Sequence, residues 1–364
     1  MGVRCGIIGL PNVGKSTIFN ALTAASVEAS NYPFCTIDPN IGRVALNDER
    51  LGRINALIHT KKVVPSTVEF VDIAGLVRGA HKGEGLGNQF LSHIMEMDAL
   101  AHTVRCFADS DVVHVEGALD PIRDIEIVET EIILRDIELL TRGIERLRRT
   151  AKSGDASARK ELAACEELIE KLHAGIDLRH AELTPDETAK SAEMKLLSAK
   201  PVLYLLNVAE DDLNGTSDSV RRVTAYAADK GISTVCMSGK IEEELVRLDP
   251  SDRLDFMRDL GLARLGLDTL IETAFKTLRL VTFFTANENE LHAWNISDGT
   301  RAPQAAGKIH TDFERGFIKA EVVSYDDFIA HKGEHGAKEH GALRIEGKDY
   351  CVRDGDIILF RFSV

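Results

Sequence analysis

The chain of 364 residues carries 44 Lys and Arg against 58 Asp and Glu, a formal net charge of −14 with His neutral. That length is too great for one ordinary core and predicts two or three domains; the acidic balance excludes a bulk polyanion binder and confines any nucleic-acid contact to a local basic patch. Six scattered cysteines (5, 35, 106, 165, 236 and 351) form no CxxC pair, and no apolar run approaches the roughly 20 residues of a bilayer span, the pattern of a cytoplasmic protein with reduced thiols and no membrane segment. The start, Met1-Gly-Val-Arg, leads into a strand rather than a cleavable signal, and Gly6 stands where a myristoylation acceptor requires Ser or Thr.

The apolar run from Cys5 to Leu10 predicts a first strand, and Thr17 to Ala25 is patterned as a helix. Between them Gly9-Leu-Pro-Asn-Val-Gly14-Lys15-Ser16 fits the spacing GxxxxGKS in its required context of strand, glycine-rich turn and helix. Gly9 and Gly14 permit backbone conformations that a Cβ would block, so successive amides from Asn12 and Val13 through Thr17 can converge on phosphate oxygens at the positive end of the helix. Lys15 reaches the outer phosphates and stabilises charge there, and the Ser16 hydroxyl is placed to ligate Mg²⁺. An ordinary strand-to-helix turn is the alternative, against which eight matched positions in context weigh.

The loop Asn31 to Gly42 follows with two prolines, and Thr36 within it is the expected second Mg²⁺ ligand; a plain surface loop is the alternative. Residues 43–46 read as strand and 48–58 as a helix capped by Asn47 or Asp48. Ser66 to Val71 is a β-branched strand that delivers Asp72-Ile-Ala-Gly75 at its carboxyl end, where ligands collect in open α/β sheets. Asp72 is expected to hold Mg²⁺ through water and the Gly75 amide to sense the γ-phosphate. Leu76 to Gly87, with four glycines in twelve residues, is weakly fixed by its own propensities, as a nucleotide-sensing switch requires. A helix from about Asn88 to Ala101, a strand Thr103 to Phe107 and a loop from Ala108 to Asp120 carrying His114 complete this half.

From about Asp124 the pattern changes. Ile133, Ile137, Leu140, Ile144 and Leu147 are spaced 4, 3, 4, 3, and so are Ala158, Leu162, Cys165, Ile169 and Leu172, which predicts two heptad-patterned helices in an antiparallel coiled-coil hairpin turning at Ser153 to Asp155. Residues 142–160 hold seven basic side chains against two acidic ones, a local +5 that is either a solvated face or a contact for an anionic partner such as RNA. The α/β pattern resumes with the strand Pro201 to Leu206, ending in Asn207-Val-Ala-Glu210. A helix (219–230) and a strand (Ile232 to Met237) then lead to Ser238-Gly-Lys240. The expected division is therefore 1–124 with 200–278 as one nucleotide-binding domain, 125–199 as a helical insertion, and 279–364 as a small α+β domain with Trp294, a turn region Lys308 to Phe313 and a hairpin-like close from Tyr350 to Phe360.

The phosphate loop, Thr36, Asp72 with Gly75, Asn207 to Glu210 and Ser238 to Lys240 occur in the order used by translation-factor-type GTPases. Over nearly all 364 residues the chain closely resembles the YchF or Obg-like ATPase family. The resemblance implies an α/β P-loop NTPase domain of the Ras-like G type with an inserted coiled-coil hairpin and a C-terminal β-grasp (TGS) domain. Two departures from ordinary GTPases matter. Guanine is normally read by NKxD, but here Val208 replaces the Lys and Glu210 the Asp; losing two charge-assisted bonds at roughly 1.5–3 kcal/mol each removes guanine's advantage. The residues show only that loss; the resemblance implies adenine, with Asn207 and Val208 lining the base and Ser238 nearby. The water-orienting Gln of Ras-like enzymes is replaced by Leu76, leaving His81, His93 and His114 as candidates; the resemblance implies His114. Asn12 is similar to the asparagine with which potassium-activated phosphate-loop enzymes hold K⁺.

The expected function is a Mg²⁺-dependent ATPase, with K⁺ a further candidate ion, converting ATP to ADP and phosphate by in-line attack of water. It would act as a monomeric, nucleotide-dependent switch that associates with the ribosome, a ribosomal subunit or another RNA-rich partner, with neither DNA nor membrane as partner. A nucleotide-gated binding factor with little hydrolysis and a GTP-binding switch are the alternatives.

Overall fold

The computed structural model describes residues 3–28, 40–73, 93–108, 118–152 and 155–363. Its contacts divide the chain into two compact units, Met1–Arg43 with Glu69–Thr277, and Val44–Val68 with Leu278–Val364. In chain order β1 (Val3–Ile8) leads into α1 (Lys15–Glu28), then β2 (Ile41–Ala45), α2 (Glu49–Ile58), β3 (Lys62–Val64), β4 (Thr67–Asp72) and β5 (Ala99–Arg105). Helices α3 (Pro121–Ala151), α4 (Ala156–His173) and α5 (Pro185–Met194) come next, followed by β6 (Val202–Asn207), α6 (Asp218–Asp229), β7 (Ser233–Met237), α7 (Gly239–Leu245), α8 (Pro250–Asp259) and α9 (Gly266–Thr277).

The first unit is built on a sheet of order β2-β4-β1-β5-β6-β7, in which β1, β5, β6 and β7 run parallel. Parallel strands are covered on both faces and favour apolar sequence; every residue of β5 and β6 is buried, the polar His102, Thr103, Arg105 and Asn207 included. The register sets Ile8 opposite His102 and Arg105 opposite Asn207, so the carboxyl ends of β5 and β6 run on beside the segment that follows β1. The expected helix to Ala101 overruns: residues 99–101 already belong to β5, a short apolar run whose periodicity alone does not separate strand from buried helix.

Helix α3 starts at Pro121, the position where a missing N–H costs nothing, and α4 starts where Asp155 accepts from the Ser157 and Ala158 amides. All the positions expected from the 4, 3 spacing except Ala158 join one cluster around Leu140, Ile144, Cys165 and Leu172; its core also takes in Leu168, while the expected Ile169 is only partly buried. The root of this helical segment is tied by the buried Asp136 carboxylate, which accepts from the Leu197 amide at 3.0 Å, the Ser198 amide at 2.7 Å and the Ser198 hydroxyl at 2.6 Å. Higher in the same layer Tyr204 Oη donates to Glu129 Oε1 at 2.6 Å, while Lys230 Nζ donates to Glu129 Oε2 at 2.9 Å.

The second unit contains β8 (Leu280–Ala286), β9 (Glu290–Ser297), α10 (Ala302–Ile309), α11 (Thr311–Arg315), β10 (Phe317–Val323), α12 (Tyr325–Ala330), α13 (Glu334–Glu339), β11 (Arg344–Glu346) and β12 (Ile357–Phe362). Its sheet runs β11-β10-β12-β8-β9-β3. Residues 44–68 belong here, whereas a division at 279 leaves them in the nucleotide-binding domain. Two contacts decide it: β3 pairs in parallel with β9 from Lys62 with Glu290 to Val64 with His292, and Leu51 and Ile54 of α2 are buried with Phe284, Leu291 and Phe328. Asp48 is the α2 cap, accepting from the Arg50 amide. The expected turn at Lys308 to Phe313 is occupied by α10 and α11, and the expected closing hairpin is a single strand, β12, paired with β10 and β8.

His102 is fully buried edge-on to Tyr204, at 5.7 Å between ring centroids, and burial lowers its pKa from 6.5 to about 4. Its folded pKa lies below its unfolded one, so the unfolded chain binds the extra proton as pH falls from 6.5 toward 4 and stability is lost across that window. Between pH 7 and pH 5 this residue alone should cost about 2 kcal/mol. Urea unfolding at the two pH values should show His102→Leu losing that much less than the unsubstituted chain; equal losses would remove the assignment.

Candidate functional site

The segment Gly9 to Ser16 leaves β1 and enters α1 through backbone that only certain residues accept. Gly9 has φ +148°, and a Cβ there would lie 2.5 Å from the Thr103 carbonyl oxygen; Gly14 has φ +95°, and its Cβ would lie 2.1 Å from Asn207 Nδ2. Asn12, between them, is left-handed at φ +61°, a conformation Asn tolerates better than most residues. Lys15 opens α1 with its side chain buried, and its ammonium donates to the Leu10 carbonyl at 2.7 Å. Burial lowers its pKa to about 8, against the opposing pull of Asp72.

Asp72 ends β4 beside the first turn of α1. Ser16 Oγ donates to Asp72 Oδ2 at 3.2 Å, and Asp72 Oδ1 is buried without a hydrogen-bond partner among the described residues. Burial raises the Asp72 pKa, with the Ser16 bond and the Lys15 charge opposing. A hydroxyl and a carboxylate side by side, with one carboxylate oxygen unsatisfied, form a hard-oxygen donor set suited to a divalent cation that takes its other ligands from phosphates and water. No cluster of three or more His, Cys, Asp or Glu side chains capable of holding a metal by itself occurs among the described residues.

Asn207 ends β6 behind the loop. Its Nδ2 donates to the Val13 carbonyl at 2.9 Å, and its Oδ1 accepts from the Gly239 amide at 2.9 Å. One carboxamide thus bridges the phosphate loop to the start of α7. Val208, expected to line the base, is 2% exposed and packs in the apolar cluster with Val13 and Leu206, so its side chain is taken up by the core. Ser238 is buried at the N-cap of α7, where its carbonyl accepts from the Glu242 amide. Glu210 and Lys240 pair at the surface at 2.5 Å. Thr17 is half-buried in the first turn of α1.

Thr36, Gly75, Leu76, His81 and His114 lie outside the described residues, and His93 is exposed. The residue that sequence reading passed over is Arg105. It is buried at the end of β5, where Nε donates to the Phe107 carbonyl at 3.1 Å and Nη1 to the Asn12 carbonyl at 3.5 Å. The available signal was an arginine closing a strand that begins Ala99-Leu-Ala101. At the far end of the helical segment Arg142, Arg148 and Lys160 pair with Glu138, Glu166 and Asp186; Arg146, Arg149, Lys152 and Arg159 are exposed without an ion pair among the described residues.

Residues 4–140 match the family described as "50S ribosome-binding GTPase", and residues 280–363 match "Protein of unknown function (DUF933)", a carboxyl-terminal YchF GTPase family. Over the whole length of both chains the sequence is 49% identical to the ribosome-binding ATPase YchF of Haemophilus ducreyi, 48% to that of Escherichia coli O157:H7 and 46% to that of Bacillus subtilis. The structure of the Schizosaccharomyces pombe YchF GTPase is similar with a TM-score of 0.88 at 35% identity, covering 99% of this chain and 98% of that one. Among the described residues no helix is long and apolar enough to cross a membrane.

Asn207→Ala should strand the Val13 carbonyl and the Gly239 amide in a buried setting and cost about 2–6 kcal/mol of unfolding free energy, at about 1–3 kcal/mol for each unsatisfied group. Urea denaturation measures it. A loss no greater than that of an exposed Asn→Ala control would show the bridge to be immaterial.

Proposed function

The chain belongs to the YchF family, and from that premise we propose that it is a Mg²⁺-dependent ATPase that hydrolyses ATP to ADP and phosphate and works as a nucleotide-dependent switch on the ribosome. One observation carries the case against guanine: Val208 and Glu210 stand where the guanine-reading Lys and Asp would be, with the Val208 side chain packed in the core; adenine follows from the family. Guanine finds no free aspartate there, and losing two charge-assisted bonds is worth about 10²- to 10⁴-fold in affinity.

A bound Mg²⁺ would supply Lewis-acid stabilisation of the negative charge that develops on the phosphates. Ser16 and Asp72 would hold it, with Thr36 as the further ligand. Lys15 would leave the Leu10 carbonyl for the outer phosphates, whose negative charge raises its pKa again and keeps it protonated. Amides of Val13, Gly14, Lys15, Ser16 and Thr17 would cradle the phosphates, the Gly75 amide would sense the γ-phosphate, and Asn12 is the candidate K⁺ ligand. His114 takes the water-orienting role that Leu76 cannot fill. Asn207 and Ser238 would bound the adenine pocket. The unpaired cations at Arg146, Arg149, Lys152 and Arg159 supply the local positive surface that an RNA-rich partner needs on a chain of net −14.

Competitive titration against a fluorescent ATP analogue should show ATP binding at least as tightly as GTP; a clear preference for GTP would overturn the reading in favour of a GTP-binding switch. His114→Ala should leave ATP affinity intact and lower turnover about 10²- to 10⁴-fold, as loss of a proton-handling or water-orienting group does; unchanged turnover would return His114 to a structural role. Replacing the four tip cations by Glu should weaken co-sedimentation with ribosomes and flatten its salt dependence while leaving ATP turnover in place. Binding that is insensitive to the substitutions would put the contact elsewhere.

A further inference from the structure

The phosphate loop is gripped from behind at two consecutive carbonyls. Asn207 holds the Val13 carbonyl at 2.9 Å, and Arg105 holds the Asn12 carbonyl at 3.5 Å. The two side chains come from register partners, Arg105 on β5 opposite Asn207 on β6. The strand pairing between β1 and β5 ends at Ile8 and His102, so the last residues of β5 lie against the loop: Thr103 backs Gly9, and Arg105 reaches Asn12.

This arrangement determines where the amides point. In a trans peptide the C=O and the following N–H lie in one plane and face opposite ways. A carbonyl of Asn12 turned toward β5 therefore sends the Val13 N–H to the other side, and a carbonyl of Val13 turned toward β6 does the same for the Gly14 N–H. Those are the amides that a phosphate cradle needs. Asn12 is the non-glycine residue of the loop at positive φ, +61°, a strained conformation that persists when its surroundings hold it.

We propose that Arg105 is a positioning residue for the phosphate site, fixing the Asn12–Val13 peptide so that the Val13 amide faces the phosphates. An arginine suits the task for a geometric reason. Its Nε is engaged by the Phe107 carbonyl at 3.1 Å, and its guanidinium lies over the Phe107 ring at 4.7 Å to the centroid. With one side of the planar fork fixed, the direction of Nη1 is set. A lysine ammonium keeps the charge and lacks the fork. The same fork joins the phosphate loop to Phe107, which stands at the root of the segment that carries His114.

The inference rests on the reading of the site as a nucleotide-phosphate site. Arg105→Lys and Arg105→Gln in the full chain should each bind ATP and ADP about tenfold more weakly, a modest change in a well-oriented contact, with AMP affected less. In both variants hydrogen exchange at Val13 and Gly14 should lose the protection that ADP confers on the unsubstituted chain, a readout that a general loss of stability would not confine to those two amides. Full affinity in Arg105→Lys would show that charge rather than orientation matters and would overturn the proposal, as would undiminished protection of the two amides. If neither variant folds, a crystal structure of the unsubstituted chain with ADP decides: Arg105 on the Asn12 carbonyl with the Val13 amide on a phosphate oxygen supports it, and a guanidinium turned elsewhere refutes it. Running the titrations with GTP and GDP in parallel separates the two readings, since a chain that prefers guanine still presents the same phosphates to Arg105.

Discussion

The side chain of Asn207 sits where three requirements meet. The phosphate loop must turn its carbonyls inward, Gly14 must pass too close for any Cβ, and α7 must begin beside the same strand end. A single carboxamide, donating to the Val13 carbonyl and accepting from the Gly239 amide, meets all three. Because both partners are buried main-chain groups, the bridge matters less for what each bond adds than for what its absence would leave unsatisfied. Lys15 and Ser16 then take positions already set by a loop held from behind.

The converging strand ends explain the rest of the site. β1, β4, β5 and β6 end on the same side of the sheet and deliver Gly9, Asp72, Arg105 and Asn207 within a short span. The interior below is not uniformly apolar. Asp136, Glu129, Tyr204 and His102 are enclosed there, and all but His102 have hydrogen-bond partners assigned above. Buried ionisable groups of this kind are tolerated when each is matched and penalised heavily when one partner is removed. The Glu129 bond to Tyr204 ties the helical insertion to β6, and Asp136 ties it to the turn at Leu197 and Ser198.

The base-reading end is held by weaker forces. The Glu210 and Lys240 pair is exposed, and such pairs contribute little to stability. The change of specificity proposed for this site comes instead from composition: a valine drawn into the core where a lysine would be solvated, and a carboxylate one methylene longer than the aspartate that guanine requires.

Much of this was legible in the residues. Gly9 to Ser16 encodes its own turn, because positive φ and missing Cβ atoms are local properties, and the 4, 3 spacing from Ile133 to Leu172 encodes a packed helical face through its period. The strands within Cys5 to Leu10 and Pro201 to Leu206 announced themselves as apolar runs. What escaped depends on contacts between distant segments. Residues 44–68 follow the phosphate loop in sequence, yet β3 and α2 belong to the unit of β8 and β9, since strand pairing and the burial of Ile54 are satisfied by partners more than two hundred residues away. That the Val208 side chain packs in the core beside Val13 was not legible either. The partners of Arg105 and the two-sided bond of Asn207 could not be read from the residues, because a hydrogen bond between residues 12 and 105 or 13 and 207 exists only after the strands are in register. The sequence by itself determined that the chain can turn tightly around phosphates; the tertiary structure decided which buried side chains hold that turn, because only the assembled sheet brings those donors within reach of its carbonyls.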